Sequence, residues 1–149
     1  MLNVCFDMDG TIADFFGVEG WLEMLHNEDT TPYRKAKPLV DLEALSRVLD
    51  NENIYVSVIS WSAKNGTKKF NDAVRSAKVR WIEKNFPCVD KVHVIKYGTN
   101  KQDYADFENA ILIDDNKDVR DSWSGTTIDA SDTANLIKNI IKVVTENME

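Results

Sequence analysis

The sequence predicts an α/β domain built on a doubly wound, Rossmann-like parallel sheet, and three observations carry that expectation. Short apolar runs rich in β-branched residues recur along the chain, they lack period-two alternation, and amphipathic helical patterns separate them. Strands covered by helices on both faces have this signature, because neither side of the pleat meets water. A length of 149 residues suits one such domain, 1–149, rather than two.

The apolar runs fall at residues 2–6, 54–59, 92–95 and 110–113, with a weaker one at 126–128. Between them, Leu39, Leu42, Leu45, Val48 and Leu49 make one helical stripe, and Phe70, Ala73, Val74, Ala77, Trp81 and Ile82 make a second. A third stripe, Leu136, Ile137, Ile140, Ile141 and Val144, ends the chain, with Asp132 placed to cap its start. The stretch 15–37 breaks the alternation. It opens on Phe15, Phe16, Trp21, Leu22, Met24 and Leu25 and closes on Pro32-Tyr33-Arg34-Lys35, which reads as a small helical cap inserted after strand 1, over the strand ends.

Apolar residues at 43% and charged residues at 29% exclude a disordered, collagen-like or disulfide-stapled chain. Eighteen Lys and Arg against 25 Asp and Glu give a net charge of −7, which argues against nucleic acid and anionic membrane as partners unless the surface carries a basic groove. A small phosphorylated substrate stays compatible, given a metal or a local cation. Cys5 and Cys88 have no metal-ligand spacing, so free thiols in a reducing compartment are expected. The opening residues lack a basic region before an apolar one, and no run approaches the ~18 apolar residues of a membrane span. A cytoplasmic location is the expectation.

In an open parallel sheet, ligands bind at the carboxyl ends of the strands. Here those ends read Asp7-Met8-Asp9-Gly10-Thr11, Ser60-Trp61-Ser62 and Asp114-Asp115-Asn116, with Lys96 and Lys101 following the third run. Any single Asp at a strand end is a common turn former, but four polar ends on one rim form a pattern. Asp7, Asp9 and Asp114 would repel one another without a cation, and an all-oxygen site suits magnesium. A metal-held phosphate makes Asp7 a candidate nucleophile, Asp9 a candidate acid and base, and Ser60 with a lysine the holders of phosphoryl oxygens.

These residues resemble the haloacid-dehalogenase superfamily of phosphohydrolases. Asp7-Met8-Asp9-Gly10-Thr11 is similar to its first motif, Ser60 to the second, Lys101 to the third, and Ile111-Leu112-Ile113-Asp114-Asp115 to the fourth. The longer opening through Ile12-Ala13-Asp14-Phe15 is similar to the 5′(3′)-deoxyribonucleotidases of that superfamily. The resemblance implies that Asp7, Asp9, Ser60 and Lys101 are catalytic, with Lys96 as a substitute for Lys101. It implies a Mg2+ site on Asp7, the Asp9 backbone carbonyl and Asp114, with Asp115 bound directly or through water. Phe15, Thr11 and Trp61 are expected on the substrate side. Phe15 would stack a nucleobase, or else pack the first helix. The insertion is shorter than the cap of those nucleotidases, and Trp61 stands where they carry a small residue.

The function expected is that of a magnesium-dependent phosphomonoesterase acting through an aspartyl-phosphate, on nucleoside monophosphates. The alternatives are a phosphatase of nucleic-acid ends or phosphoproteins, and a receiver-like domain that accepts a phosphoryl group for signalling. The receiver order, an acidic pair first and the acceptor Asp later, is the reverse of this chain's. An EF-hand fails because Ile12 and Val18 stand at its sixth and twelfth positions. His26, His93, Trp21 and Trp123 read as packing or surface residues. Arg34, Lys35 and Lys37, like Lys64, Lys68 and Lys69, read as solvated charge with some capacity to attract phosphate.

Overall fold

In the computed structural model, which describes residues 1–148, five strands build one sheet. They are β1 (Leu2–Phe6), β2 (Ile54–Trp61), β3 (Lys91–Ile95), β4 (Ala110–Asp114) and β5 (Thr127–Asp129). All pairs are parallel, in the order β3-β2-β1-β4-β5, with Cys5 level with Ser57 on one side and Leu112 on the other. From β1 the chain winds outward to β2 and β3, then crosses back to β4 and β5. The winding direction therefore reverses between β1 and β4, which opens a crevice at their carboxyl ends.

The helices are α1 (Trp21–His26), α2 (Thr31–Lys35), α3 (Leu42–Val48), α4 (Lys68–Asn85), α5 (Lys117–Asp121) and α6 (Leu136–Met148). Both faces of the sheet are covered, but unequally. Val4, Phe6, Val56, Val58, Ile111 and Ile113 pack under Leu45 of α3, Trp81 and Ile82 of α4, and Ile140 of α6. On the other face Cys5, Ile59 and Leu112 meet only Val119 of α5, Trp123 and the β3–β4 connection. That connection has no α-helix; its one regular piece is the 3-10 turn Lys101–Tyr104, which brings Lys101 to the rim. Among the described residues no helix is long and apolar enough to cross a membrane.

Two helix starts differ from expectation. Leu39 lies outside α3, its N–H donating to Ile12 O at 2.9 Å, while the Asp41 carboxylate caps that helix by accepting from Ala44 N at 3.0 Å. Asp132 precedes the 3-10 turn Thr133–Asn135 rather than α6, and its carboxylate accepts from the Asn135 side chain. In both cases local hydrogen bonding moves the boundary, and of the last stripe Leu136, Ile140 and Val144 are buried while Ile141 faces solvent.

The insertion after β1 is closed at its base, where Asp14 N donates to Lys37 O at 2.8 Å and Ala13 bridges Pro38. Helices of six and five residues would not persist alone, so α1 and α2 depend on packing. Phe15, Tyr33, Phe70 and Val74 form their core with Trp21 against its edge, and Glu28 accepts from the Thr67 N–H and hydroxyl at the start of α4. Phe15 is 3% exposed and its ring centroid lies 4.7 Å from that of Tyr33. Phe15→Ala should therefore cost about 3–5 kcal/mol of stability, read by denaturant unfolding, whereas Phe16→Ala, at a ring 54% exposed, should stay within about 0.5 kcal/mol. Equal effects would reject Phe15 as the keystone of the insertion.

Candidate active site

Asp7 follows β1 directly, and its N–H still pairs with Ile113 O of β4 at 2.9 Å. The chain then reverses: Met8 O accepts from the N–H groups of Thr11, Ile12 and Ala13 at 3.0–3.1 Å. Gly10 takes φ +82°, and a Cβ there would stand 2.8 Å from Asp115 Oδ2, so both conformation and clearance call for glycine. This turn sends Asp7 and Asp9 to two different cations.

Around Asp7, Lys101 Nζ donates to Asp7 Oδ1 at 2.8 Å and to Asp114 Oδ2 at 3.0 Å. The Thr11 hydroxyl donates to Asp7 Oδ2 at 2.9 Å and lies 3.2 Å from Asp115 Oδ1. Asp114 Oδ1 accepts from Asn116 N. One oxygen from each of Asp7, Asp114 and Asp115 lies within 4.8 Å of the others. Asp7 and Asp114 thus share one ammonium and Asp115 has none, so the cluster is short of positive charge. Burial and the Asp7 charge push Asp114 up to about 6, and burial with the Asp7 hydrogen bond pushes Asp115 up to about 7. Burial opposes ionisation of Asp7 too, but Lys101 outweighs it and holds this carboxyl below its ordinary value. Burial likewise works against the Lys101 ammonium, and Asp7 with Asp114 more than offset it. An all-oxygen cluster short of positive charge fits a hard divalent cation.

Around Asp9, the second cation is Lys78, which the sequence reading passed over. Its side chain is fully buried, and Nζ donates to Asp9 Oδ2 at 2.9 Å, Ser60 Oγ at 2.7 Å and the Trp61 carbonyl at 2.7 Å. Three acceptors match the three protons of an ammonium. Nζ also stands 5.2 Å from the centroid of the Tyr33 ring. Burial raises the Asp9 carboxyl above its ordinary value in spite of Lys78. The signal was present in the sequence: Lys78 falls in the buried stripe of α4, between Val74 and Trp81, where a lysine is anomalous unless paired.

Asp7, Asp9, Ser60, Lys101, Asp114 and Asp115 line the floor of a pocket of about 440 Å³, with Lys78 and Thr11 buried beneath it. The insertion contributes Phe15, Phe16, Trp21, Leu25 and Tyr33 to its walls, and the main domain contributes Trp61, Lys64 and Tyr97. Trp61 is anchored by its indole N–H on Thr99 O at 2.9 Å and packs on Tyr97 with centroids 4.9 Å apart.

The structure thus brings Asp7, Asp9, Ser60, Lys101, Asp114, Asp115 and Trp61 to one pocket, and leaves Lys96 exposed outside its lining. Thr11, expected on the substrate side, is fully buried outside the pocket lining, its hydroxyl donating to Asp7 and lying 3.2 Å from Asp115. Phe15 borders the pocket but is spent mostly on packing, while the exposed ring is that of Phe16. Trp21, expected only to pack, also lines the pocket, its ring 4.9 Å from that of Phe16. The Asp9 carboxylate is held by Lys78 and lies outside the Asp7–Asp114–Asp115 cluster. His93 pairs with Asp106 at 2.9 Å, away from the pocket.

Comparison with models of known protein families and with curated proteins finds no match for this chain.

The raised carboxyls carry a pH signature. A carboxyl whose folded pKa exceeds its unfolded value makes the folded state bind more protons, so stability falls as pH rises between the two values. For Asp114 and Asp115 that window runs from the unfolded value near 3.8 to about 7. In a chelator, the melting temperature should fall across that window, and magnesium should flatten the slope by neutralising the cluster. A metal-free melting temperature that rises through the window would contradict the crowded-carboxylate reading.

Proposed function

We propose that this chain is a magnesium-dependent phosphomonoesterase of the haloacid-dehalogenase type, acting on a nucleotide phosphate. The observation that supports it most is the division of the rim: Asp7 sits with a metal-competent carboxylate cluster and Lys101, while Asp9 sits apart on Lys78 with its proton affinity raised. Asp7, Asp114 and Asp115 would hold the ion, which when bound supplies positive charge beside the phosphate.

An ionised Asp7 attacks phosphorus, forming a carboxylate O–P bond as the ester P–O bond breaks. Asp9, whose proton affinity burial raises, gives a proton to the departing alkoxide. A water then attacks the phosphoryl group, Asp9 takes the water's proton, the Asp7 O–P bond breaks, and inorganic phosphate leaves with Asp7 restored. Lys101, in the pocket floor, sets fixed positive charge beside the transferring group, and Lys78, buried behind Asp9 and Ser60, adds to it from below the pocket. Ser60, with its oxygen held by Lys78, has its hydroxyl proton free for a phosphoryl oxygen.

The aromatic walls support a nucleotide over a small sugar phosphate, because Phe16, Trp21, Trp61 and Tyr97 offer faces on which a base can stack for about 1–3 kcal/mol. A panel of phosphate esters, assayed with magnesium and with chelator, tests the reading. Metal-dependent phosphate release that favours nucleoside monophosphates is expected. A stable acyl-phosphate without turnover would instead favour the receiver-like alternative.

A further inference from the structure

A second concavity, of about 740 Å³, lies between α2 and α4, and its charge is opposite to that of the chain. Arg34, Lys35 and Lys37 line it from α2 and the segment after it; Arg80 and Lys84 line it from α4. All five are exposed, no carboxylate lines the groove, and none of the five enters an ion pair among the described residues. In a protein of net charge −7, five cations on one groove, none in an ion pair and with the neighbouring carboxylates Asp14 and Asp29 outside its lining, make a local positive surface.

We propose that this groove binds a single strand of nucleic acid through its phosphate backbone. Arg80 and Lys84 are four residues apart on α4, hence on one helix face, and they rise about 6 Å along it, a spacing that lets each meet a different phosphate. The opposing wall supplies a second arginine, and guanidinium forks suit phosphate oxygens. The groove has no exposed large apolar side chain: Trp81 at its floor is 4% exposed, with its indole N–H on Ala36 O. An acidic peptide would need such an anchor pocket, whereas backbone binding without base reading needs none. The groove is separate from the phosphatase pocket, with α2 between them carrying Tyr33 toward one and Arg34 toward the other.

The test is fluorescence anisotropy with a labelled single-stranded oligonucleotide bearing hydroxyls at both ends, in chelator, so that Asp7 has no phosphomonoester to hold. With five cations engaged at about 0.7 counterions each, log affinity should fall against log salt with a slope of about −3.5. R80A/K84A should bring the slope to about −2 and weaken low-salt binding about tenfold or more, with an unchanged circular dichroism spectrum. If that variant fails to fold, K35A/K37A on the opposite wall carries the same expectation. Absence of low-salt binding, an unaltered slope in a folded variant, or equal competition by poly-glutamate or inorganic polyphosphate would overturn the proposal. Turnover of p-nitrophenyl phosphate by the unaltered protein reports the Asp7 pocket separately, so failure of either reading is visible without the other.

Discussion

Asp7→Asn is expected to remove phosphate release, by about four orders of magnitude or more, while leaving a folded protein. The amide fills the same space and its single oxygen can still accept from Lys101, with the NH2 group in the place of the oxygen that accepted from Thr11, but it cannot form the covalent bond to phosphorus that divides the reaction into two displacements. The structure adds a second readout. Removing the Asp7 charge takes away one of the causes that raise Asp114 and Asp115, so both carboxyls should titrate lower in the variant. The fall in metal-free melting temperature with rising pH should become shallower. Turnover near that of the unaltered protein would reject Asp7 as nucleophile, and an unchanged pH slope would reject the crowding argument independently.

The sheet is legible in the sequence because parallel strands leave a plain mark: the run 2–6 coincides with β1, and the later runs match their strands to within two residues. Asp7, Asp9, Ser60, Asp114 and Lys101 were legible because each stands at or just beyond a strand end, or on the connection between strands, and strand ends converge by topology. What could not be read is what depends on the insertion and on helix faces. Phe15 and Phe16 are neighbours in sequence, yet one closes a buried aromatic cluster and the other faces solvent; only the 3-10 turn Phe15–Gly17 decides which. Arg34, Lys35 and Lys37 looked like ordinary surface charge until α4 set Arg80 and Lys84 across from them. Lys78 was hidden for a different reason, since charged residues on a helix are assigned to its wet face by default.

Lys78→Met should produce the second large effect, and its form separates a role in proton transfer from one in packing. Methionine preserves much of the buried volume but takes the ammonium from Asp9, Ser60 and the Trp61 carbonyl. Asp9 already sits above its ordinary pKa through burial, and Lys78 is the largest of the influences pulling it down. Without that charge the carboxyl rises further and holds its proton to higher pH. A protonated Asp9 can still assist the leaving alkoxide but cannot take the proton from water, so the second displacement slows by about a hundredfold or more. The expected result is a burst of released alcohol matching the enzyme concentration, followed by slow phosphate release and recovery of rate as pH is raised. Because Asp9 can neutralise itself by holding a proton, the stability loss should fall short of the about 3–5 kcal/mol that follows when a buried pair leaves an uncompensated charge. A uniform loss across pH with no burst, alongside a large drop in melting temperature, would assign Lys78 to packing alone.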